Sequence, residues 1–419
     1  MLKKKFIQTL ALLTSIACLT GCTQGTAQST SSPDSTVPIT VKGDIELDTS
    51  NLLATNIDLV DTISLSHPDS NVMISGMSLN YALAMLANGA SLDALTAIED
   101  YLGMDLETAN SFYSEFLTRK GSPSQNKLVI SNSFWTDDSL PYDIHKNYIN
   151  ILENTYQAEV AQIPMNDKGV KEVNNWVDKA TDGLIQKALS PSDLTPETVS
   201  ILINAILFDG KWETPFYVED TREEEFTLVD GTKTVVEGMH SEEYFYYENE
   251  FATGFRKDYD EKEYYMIAIL PKEEGDFSLA ELAIEDLIAS GKSTAQLNAE
   301  LHIMLPKTDF ETKYNLSNML KQTSLEQLFD QGANNLPLIY DNDAPGFCSY
   351  ASSIIQNDRL IIDESGTKAA AVTSVIVDNC IESIEQKDYL QVYLNRPFAI
   401  LLMDGATDEP LFVAKIMNP

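Results

Sequence analysis

The chain has 419 residues, 43% of them hydrophobic, which is enough to bury a large core. Acidic residues outnumber basic ones by 64 to 28, and the formal net charge is −36. So acidic a surface repels nucleic acid and anionic lipid headgroups, and we expect neither as a partner. With only four cysteines in the whole chain, the fold is not expected to depend on disulfides.

Residues 1–22 have the pattern of a targeting segment. A basic start is followed by the apolar stretch Phe6–Thr20, which is too short to span a bilayer. The stretch ends in Leu19-Thr20-Gly21-Cys22, which resembles the bacterial lipoprotein signal, in which cleavage precedes the cysteine and its thiol is lipidated. We therefore predict a signal peptide at 1–21 and a lipid anchor at Cys22, which would hold the protein on the outer face of the cell membrane. The alternative is an ordinary secretory signal with an incidental cysteine.

Residues 22–50 are rich in Ser, Thr, Gly and Asp, and this composition predicts a flexible tether without a fold of its own. No repeat or second linker divides the remainder of the chain. We therefore expect a single domain over residues 51–419.

Hydrophobic periodicity predicts the elements of this domain in chain order. Helices are expected over Asn51–Ser66 and Tyr142–Thr155, and a strand followed by a buried helix over Asn71–Gly89. Strands are expected over Lys127–Thr136, Thr198–Phe208, Tyr244–Tyr247, Tyr264–Leu270, Leu301–Pro306 and Ser349–Ile362. The apolar run Thr198–Phe208 is typical of a central strand that is buried on both faces.

The most unusual stretch is Glu364–Ile381. Small or β-branched side chains occupy every second position, namely Thr367, Ala369, Ala371, Thr373, Val375 and Val377. A period of two predicts a strand with one face able to turn inward. Gly366 and three consecutive alanines contribute little packing area, however. The stretch is therefore compatible with a sheet without requiring one.

No residue pattern indicates catalysis or a metal site. The four histidines, His67, His145, His240 and His302, each lack neighbours at a metal-binding spacing. The chain has no G-x-S-x-G elbow and no phosphate-binding glycine loop, and its acidic pairs are solvated charge runs. Cys380 has no histidine or basic residue close to it in the sequence, so we do not expect it to be a nucleophile. We expect neither an enzyme nor a cofactor.

Three motifs resemble the serpin family of protease inhibitors. Glu364–Thr373 resembles the hinge of the serpin reactive-centre loop, and Phe208–Phe216 resembles a further family motif. Asn395–Phe398 followed by Leu411–Pro419 resembles the C-terminal signature of the family. The resemblance covers about residues 51–419. It implies an α+β serpin fold with about three β-sheets, eight to nine helices and an exposed reactive-centre loop at about residues 364–390.

The resemblance also implies roles for individual residues. The hinge would comprise Glu364, Gly366, Thr367, Ala369, Ala370, Ala371 and Thr373. A polar cluster that controls the opening of the main sheet would comprise Ser75, Ser78, Asn204 and Gln356. Gln356 stands where many serpins have histidine, and Gly76 stands where the family usually has proline, a change that could loosen the start of the helix. Trp212 and Lys307 would lie at the breach, where loop insertion begins, with Lys307 paired to Glu364.

The mechanism implied by the resemblance is suicide inhibition. A serine protease would cleave the loop, and the loop would then insert into the main sheet before the acyl-enzyme is hydrolysed. Family spacing places the cleaved bond between Cys380 and Ile381, with a slip of one to three residues left open. Small aliphatic residues near this bond favour elastase-like proteases over trypsin-like ones. Asp378 or Glu382 leaves an acid-specific protease as a minor alternative.

Other interpretations remain at this point. A non-inhibitory serpin acting as a carrier or binding module would share the fold, but such proteins tend to have bulky or charged hinge residues. A solute-binding or adhesion lipoprotein would explain Cys22 but not the hinge. The region comparable to a polyanion-binding helix, Asp105–Gly121, offers only Arg119 and Lys120, so we expect no heparin activation. We also expect a monomer. A disulfide between Cys348 and Cys380 is also left open.

Overall fold

The structure is a computed structural model that describes residues 51–120, 126–195, 198–341, 348–367 and 387–419. These residues form nine α-helices and three β-sheets, which agrees with the predicted α+β serpin architecture. The helices are α1 Leu52–Ser66, α2 Gly76–Ala87, α3 Leu92–Leu102, α4 Leu106–Lys120, α5 Lys146–Thr155, α6 Asp167–Ala180, α7 Ile284–Ala289, α8 Thr294–Leu297 and α9 Ser317–Leu320. The strands are β1 Val72–Ile74, β2 Lys127–Asp137, β3 Glu159–Ile163, β4 Ser200–Lys211, β5 Thr221–Thr227, β6 Lys233–Glu243, β7 Phe245–Glu248, β8 Ala252–Asp258, β9 Tyr264–Pro271, β10 Lys292–Ser293, β11 Ala299–Pro306, β12 Thr308–Asn315, β13 Ser353–Ile362, β14 Gly366–Thr367, β15 Asp388–Tyr393, β16 Phe398–Asp404 and β17 Pro410–Ile416.

Three sheets divide the strands between them. The main sheet has six strands in the order β12-β13-β14-β4-β2-β3. A seven-stranded antiparallel sheet has the order β1-β17-β16-β9-β8-β7-β10, and its strands β16 and β17 are buried along their whole length. A small sheet has the order β15-β11-β6-β5. Most of the C-terminal residues that resemble the family signature, including Phe398 and Leu411–Met417, are therefore buried.

The central strand β4 is buried on both faces, as its apolar sequence predicts. On one face, Ile201 and Ile203 pack in a cluster with Val173 and Val177 of α6. On the other face, Leu202, Ile206 and Phe208 belong to the main core. Because both faces are covered, β4 is rich in Ile and Leu on both faces instead of alternating regularly with polar residues.

Helix α2 crosses the core, and its start does not show the loosening that Gly76 suggested. The backbone N–H of Gly76 donates to Asn56 Oδ1 at 2.7 Å, and Ser75 Oγ accepts from the N–H of Ser78 at 3.2 Å. A Cβ at position 76 would lie 2.8 Å from Asn56 Nδ2. Glycine therefore fits here because its N–H is used and Asn56 is close.

Several predicted elements have shifted ends. Asn51 caps α1 instead of starting it, since its Oδ1 accepts from the N–H of Ala54 at 2.7 Å. The prediction of a helix from Tyr142 is wrong, because Ile144 forms an isolated β-bridge with Tyr340 and α5 begins at Lys146. Strand β13 likewise begins at Ser353, four residues later than predicted.

The signal peptide at 1–21, Cys22 and the tether at 22–50 lie outside the described residues. Among the residues that are described, no helix has both the length and the apolar character that a membrane crossing needs.

Candidate functional site: the hinge and the fork of the main sheet

The hinge begins inside the main sheet. Gly366 pairs with Lys211 of β4, and Thr367 pairs with Gly210 of β4 on one side and with Ile362 of β13 on the other. Strand β14 is therefore a two-residue antiparallel strand between two parallel strands. Further along, β13 and β4 pair directly with each other from Ser353↔Ile201 to Asp358↔Ile206. We call the point where the two strands separate, next to Asp358 and Ile206, the fork.

Gly366 is required by the close approach of β4. A Cβ at this position would lie 2.0 Å from the carbonyl oxygen of Gly210 and 2.9 Å from Lys211 Cα. Both are backbone atoms, so neither can turn away as a side chain could. Any other residue at position 366 would push the hinge out of the sheet.

Thr367 points into the core. Its side chain is buried, and its hydroxyl is hydrogen-bonded to the Tyr259 hydroxyl at 2.6 Å. The Tyr259 ring stacks on Trp212 with centroids 4.3 Å apart, and burial raises the pKa of the Tyr259 hydroxyl. The inward register predicted from the period of two is therefore present at its first residue.

Glu364 and Lys307 form the ion pair that the resemblance implied. Lys307 Nζ lies 2.9 Å from Glu364 Oε1, and Thr221 Oγ1 donates to the same carboxylate oxygen at 2.9 Å. Partial burial tends to raise the pKa of Glu364, but the hydrogen bonds from Lys307 and Thr221 outweigh this and lower it. Lys307 also contacts Glu237 at 3.2 Å.

Trp212 holds the turn that leads into the hinge. Its indole Nε1 donates to the carbonyl oxygen of Asp363 at 3.0 Å, and its backbone N–H donates to the carbonyl oxygen of Ser365 at 3.1 Å. Asp363 Oδ1 accepts from the N–H groups of Ser365 and Gly366, at 2.8 and 3.2 Å. The turn from β13 to β14 is therefore held by hydrogen bonds from Trp212 and by hydrogen bonds within the turn to Asp363.

The polar cluster predicted to control sheet opening is only partly assembled. Ser78 Oγ donates to Asn204 Oδ1, and Ser75 bonds the backbone of Ser78. Gln356 lies opposite Asn204 in register, but its Nε2 donates to Asp358 Oδ2 at 2.9 Å. The expectation that Gln356 bonds within this group is wrong, because Asp358 lies two residues along the same face and takes its amide.

Sequence reasoning missed several residues of this site. Asn132 accepts from Asn204 Nδ2 at 2.5 Å, and Tyr259 is the partner of Thr367. Lys257 is buried below Trp212, paired with Glu243 at 2.5 Å and 4.2 Å from the centroid of Phe216. A buried lysine or tyrosine has no periodic signal of its own, since its neighbours come from distant strands.

The other predicted site residues cannot be placed. Ala369, Ala370, Ala371, Thr373, Cys380 and Ile381 lie outside the described residues. Cys348 has no disulfide partner among the described residues. The disulfide with Cys380 that the sequence left open stays a prediction, since Cys380 lies outside those residues. No group of His, Cys, Asp or Glu side chains in the described ranges could hold a metal ion.

Comparison with known proteins decides the family. The family model of the serpins, described as serine protease inhibitors, matches residues 51–419. The chain belongs to the serpin family. The family is described as one of protease inhibitors and not of catalysts.

Individual serpins show how far the similarity extends. Leukocyte elastase inhibitor A of Mus musculus is 26% identical over 387 residues, which cover 87% of this chain and 97% of that protein. The native state of the thermophilic serpin tengpin is 30% identical with a TM-score of 0.76, covering 92% of this chain and 97% of that chain. Human thyroxine-binding globulin complexed with its ligand is 22% identical with a TM-score of 0.74, and the match covers 89% of this chain and 97% of that chain. At this identity the similarity shows the shared fold alone.

Proposed function

We propose that this serpin is an irreversible suicide inhibitor of elastase-like serine proteases. The single observation that supports this most is β14, where the first two hinge residues pair with both β13 and β4. Because the sheet already holds the start of the loop between two parallel strands, the remaining loop residues can insert between the same two strands.

The sequence of the loop suits this path. Continuing the alternation from the buried Thr367 gives Ala369, Ala371 and Thr373 on the inward face, all small enough for an occupied core. Each residue added to the sheet makes about one backbone hydrogen bond, at roughly 1 kcal/mol net, so a dozen residues would contribute on the order of 10 kcal/mol. That energy drives the cleaved loop, and the acylated protease with it, across the sheet.

The elastase-like target class rests on the residues around the proposed bond Cys380–Ile381. Val375, Ile376 and Val377 are aliphatic and fit a shallow apolar specificity pocket. Leukocyte elastase inhibitor A, a relative, is named for such a target. The alternative target is an acid-specific protease that recognises Asp378 or Glu382.

The competing proposal is a non-inhibitory serpin. Thyroxine-binding globulin shares the fold and binds thyroxine. A binding role would need neither small hinge residues nor a hinge that enters the sheet. The small side chain of Thr367 and its place between β4 and β13 therefore favour inhibition.

The decisive experiment mixes the full-length protein with pancreatic or neutrophil elastase and separates the products on a denaturing gel. An inhibitor yields a band at the summed mass of protease and serpin that survives denaturation. A non-inhibitory serpin yields only the chain cut in its loop. Mass spectrometry of the released C-terminal peptide locates the cleaved bond.

We also propose that the protein is anchored at the cell surface by a lipid on Cys22. The support is the order of a basic start, a short apolar stretch and Leu19-Thr20-Gly21-Cys22, followed by a tether rich in small polar residues. Labelled palmitate should enter the wild-type chain and not Cys22→Ala. Equal labelling of both would contradict the anchor.

A further inference from the structure

An unusual carboxyl lies at the fork of the main sheet. Asp358 is fully buried, and it is the last residue of β13 that pairs directly with β4. Its Oδ2 accepts from Gln356 Nε2 at 2.9 Å. Its Oδ1 and the Oε1 of Gln356 are buried and have no hydrogen-bond partner among the described residues. Unsatisfied buried oxygens are rare in folded proteins and costly.

The position of Asp358 matters because an inserting strand must pass it. The hinge separates β13 and β4 at Ile362 and Gly210, and the strands meet again at Asp358 and Ile206. The Asp358–Ile206 pair is therefore the first direct pairing that must break when the hinge advances. Breaking it exposes the carboxyl of Asp358 to the opening.

Within the described part of the chain, no cation compensates this carboxyl. On the neighbouring strand β12, Asp358 is paired with Thr312. The nearest ionisable side chain of β12 on the same face of the sheet is Tyr314, which is itself an acid. The paired part of β4, together with β1, α9 and β14, contains no ionisable side chain, and α2 contains only Tyr81. The basic residues near by, Lys313 and Arg359, are on the opposite face of the sheet and pair with Asp193 and Asp309.

We propose that Asp358 is a positioning residue for strand insertion, whose neutral carboxyl holds the fork closed and whose ionised form opens it. The neutral acid can stay buried against Gln356, whereas the carboxylate is stabilised only when water reaches it through the separated strands. Loss of the proton to solvent therefore lowers the barrier to insertion. Burial raises the pKa of Asp358 to about 8, opposed in part by the hydrogen bond from Gln356, which places the change close to neutral pH.

This inference rests on the proposed insertion mechanism, so its test must separate the two. The full-length protein is incubated with a synthetic peptide of residues 367–380, and incorporation into the sheet is followed by native gel and by the rise in melting temperature. If the peptide does not enter at any pH, the proposed function itself fails. If it enters, its rate as a function of pH tests Asp358.

The wild-type rate should rise at least about fivefold from about pH 6.5 to about pH 9, with a midpoint near pH 8. Asp358→Asn keeps the size and hydrogen bonds of the side chain but cannot ionise, so its rate should be constant within about twofold over this range. The rate of peptide incorporation into Asp358→Ala should also be independent of pH. This variant provides a second non-ionising side chain if one of the two variants folds poorly.

Glu409 offers a matched control. Burial also raises the pKa of this carboxyl, but Glu409 lies beside Asp404 in the connection between β16 and β17, outside the main sheet that contains the fork. Glu409→Gln should therefore keep the wild-type pH profile. A wild-type rate that does not change with pH, or a profile that persists in Asp358→Asn, would overturn the role of Asp358.

Discussion

Thr367 is buried between two strands of the main sheet. Its neighbours across the strands are Gly210 and Ile362, and its hydroxyl bonds the buried Tyr259. Close packing on every side means that the size of this side chain decides whether the hinge can stay in the sheet.

Thr367→Arg should convert the inhibitor into a substrate. A buried guanidinium at this position would have no partner and would block insertion, so the protease would deacylate before it is trapped. The denaturing gel should show cleaved serpin and almost no complex. Thr367→Ser, which keeps the hydroxyl and is smaller, should still form complex, and complex formation by the arginine variant would argue against insertion.

The ion pair of Glu364 and Lys307 gives the hinge a defined dependence on pH. The pKa of Glu364 is below its ordinary 4.5, so its stabilisation is present above that pH and is lost as the pH falls through the lowered value. For Lys307, burial lowers the pKa, but the hydrogen bonds that Lys307 donates to Glu364 and Glu237 outweigh this and hold its pKa above 10.5. Its stabilisation is therefore present below pH 10.5 and is lost as the pH rises through the raised pKa. The pair stabilises the fold fully between these limits.

Glu364→Gln should reduce the free energy of unfolding at pH 7 by less than about 1 kcal/mol, because the pair is partly exposed. The difference from wild type should vanish as the pH falls through the pKa of Glu364, where the wild-type carboxylate also becomes neutral. Urea unfolding at several pH values measures this. Glu237→Gln, which alters the more exposed partner of Lys307, should have a smaller effect, and an equal effect would remove any special role of Glu364.

At the scale of secondary-structure elements, the start of α2 depends on a residue of another helix. Asn56 of α1 accepts from the N–H of Gly76 and donates to the carbonyl oxygen of Leu52 at 2.7 Å. The first of these hydrogen bonds connects α1 to α2. Helix α2 contains Ser78, a member of the polar cluster predicted to control sheet opening. The positions of both helices in the core are therefore coupled.

Asn56→Ala should lower the free energy of unfolding by about 1–3 kcal/mol, because the buried N–H of Gly76 loses its acceptor. Asn154 is a useful comparison, since its side chain also donates to a carbonyl oxygen four residues earlier, at 2.7 Å, but is exposed. Asn154→Ala should change stability by less than half as much in the same urea titration. Equal losses would show that the bond to Gly76 contributes nothing.

The sequence could predict elements whose signal is local. The apolar run of β4 and the alternation that places Thr367 inward need only neighbouring residues to be recognised. The partner of Gln356 could not be predicted in the same way. Strand β13 contains the polar run Gln356–Arg359, and which of these side chains faces the core depends on pairing with β4 and β12, far away in the sequence.

At the scale of the whole molecule, the main sheet is divided at its centre between two parallel strands. Near Ile362 of β13 and Gly210 of β4, the two strands are separated by β14. From Ser353 to Asp358, β13 pairs directly with β4. Parallel neighbours can accept an antiparallel strand between them without changing their own direction, as β14 shows. The intact form is therefore expected to be less stable than the form with a complete additional strand, and to persist because insertion is slow.

The most direct measurement compares the melting temperature of the intact protein with that of protein cut once within residues 368–386 by a protease that it does not inhibit. A gain on the order of 10 kcal/mol from the added strand should raise the melting temperature by about 10 °C or more. A cut protein that melts at or below the temperature of the intact one would show that no strand has been added, and would contradict the insertion mechanism.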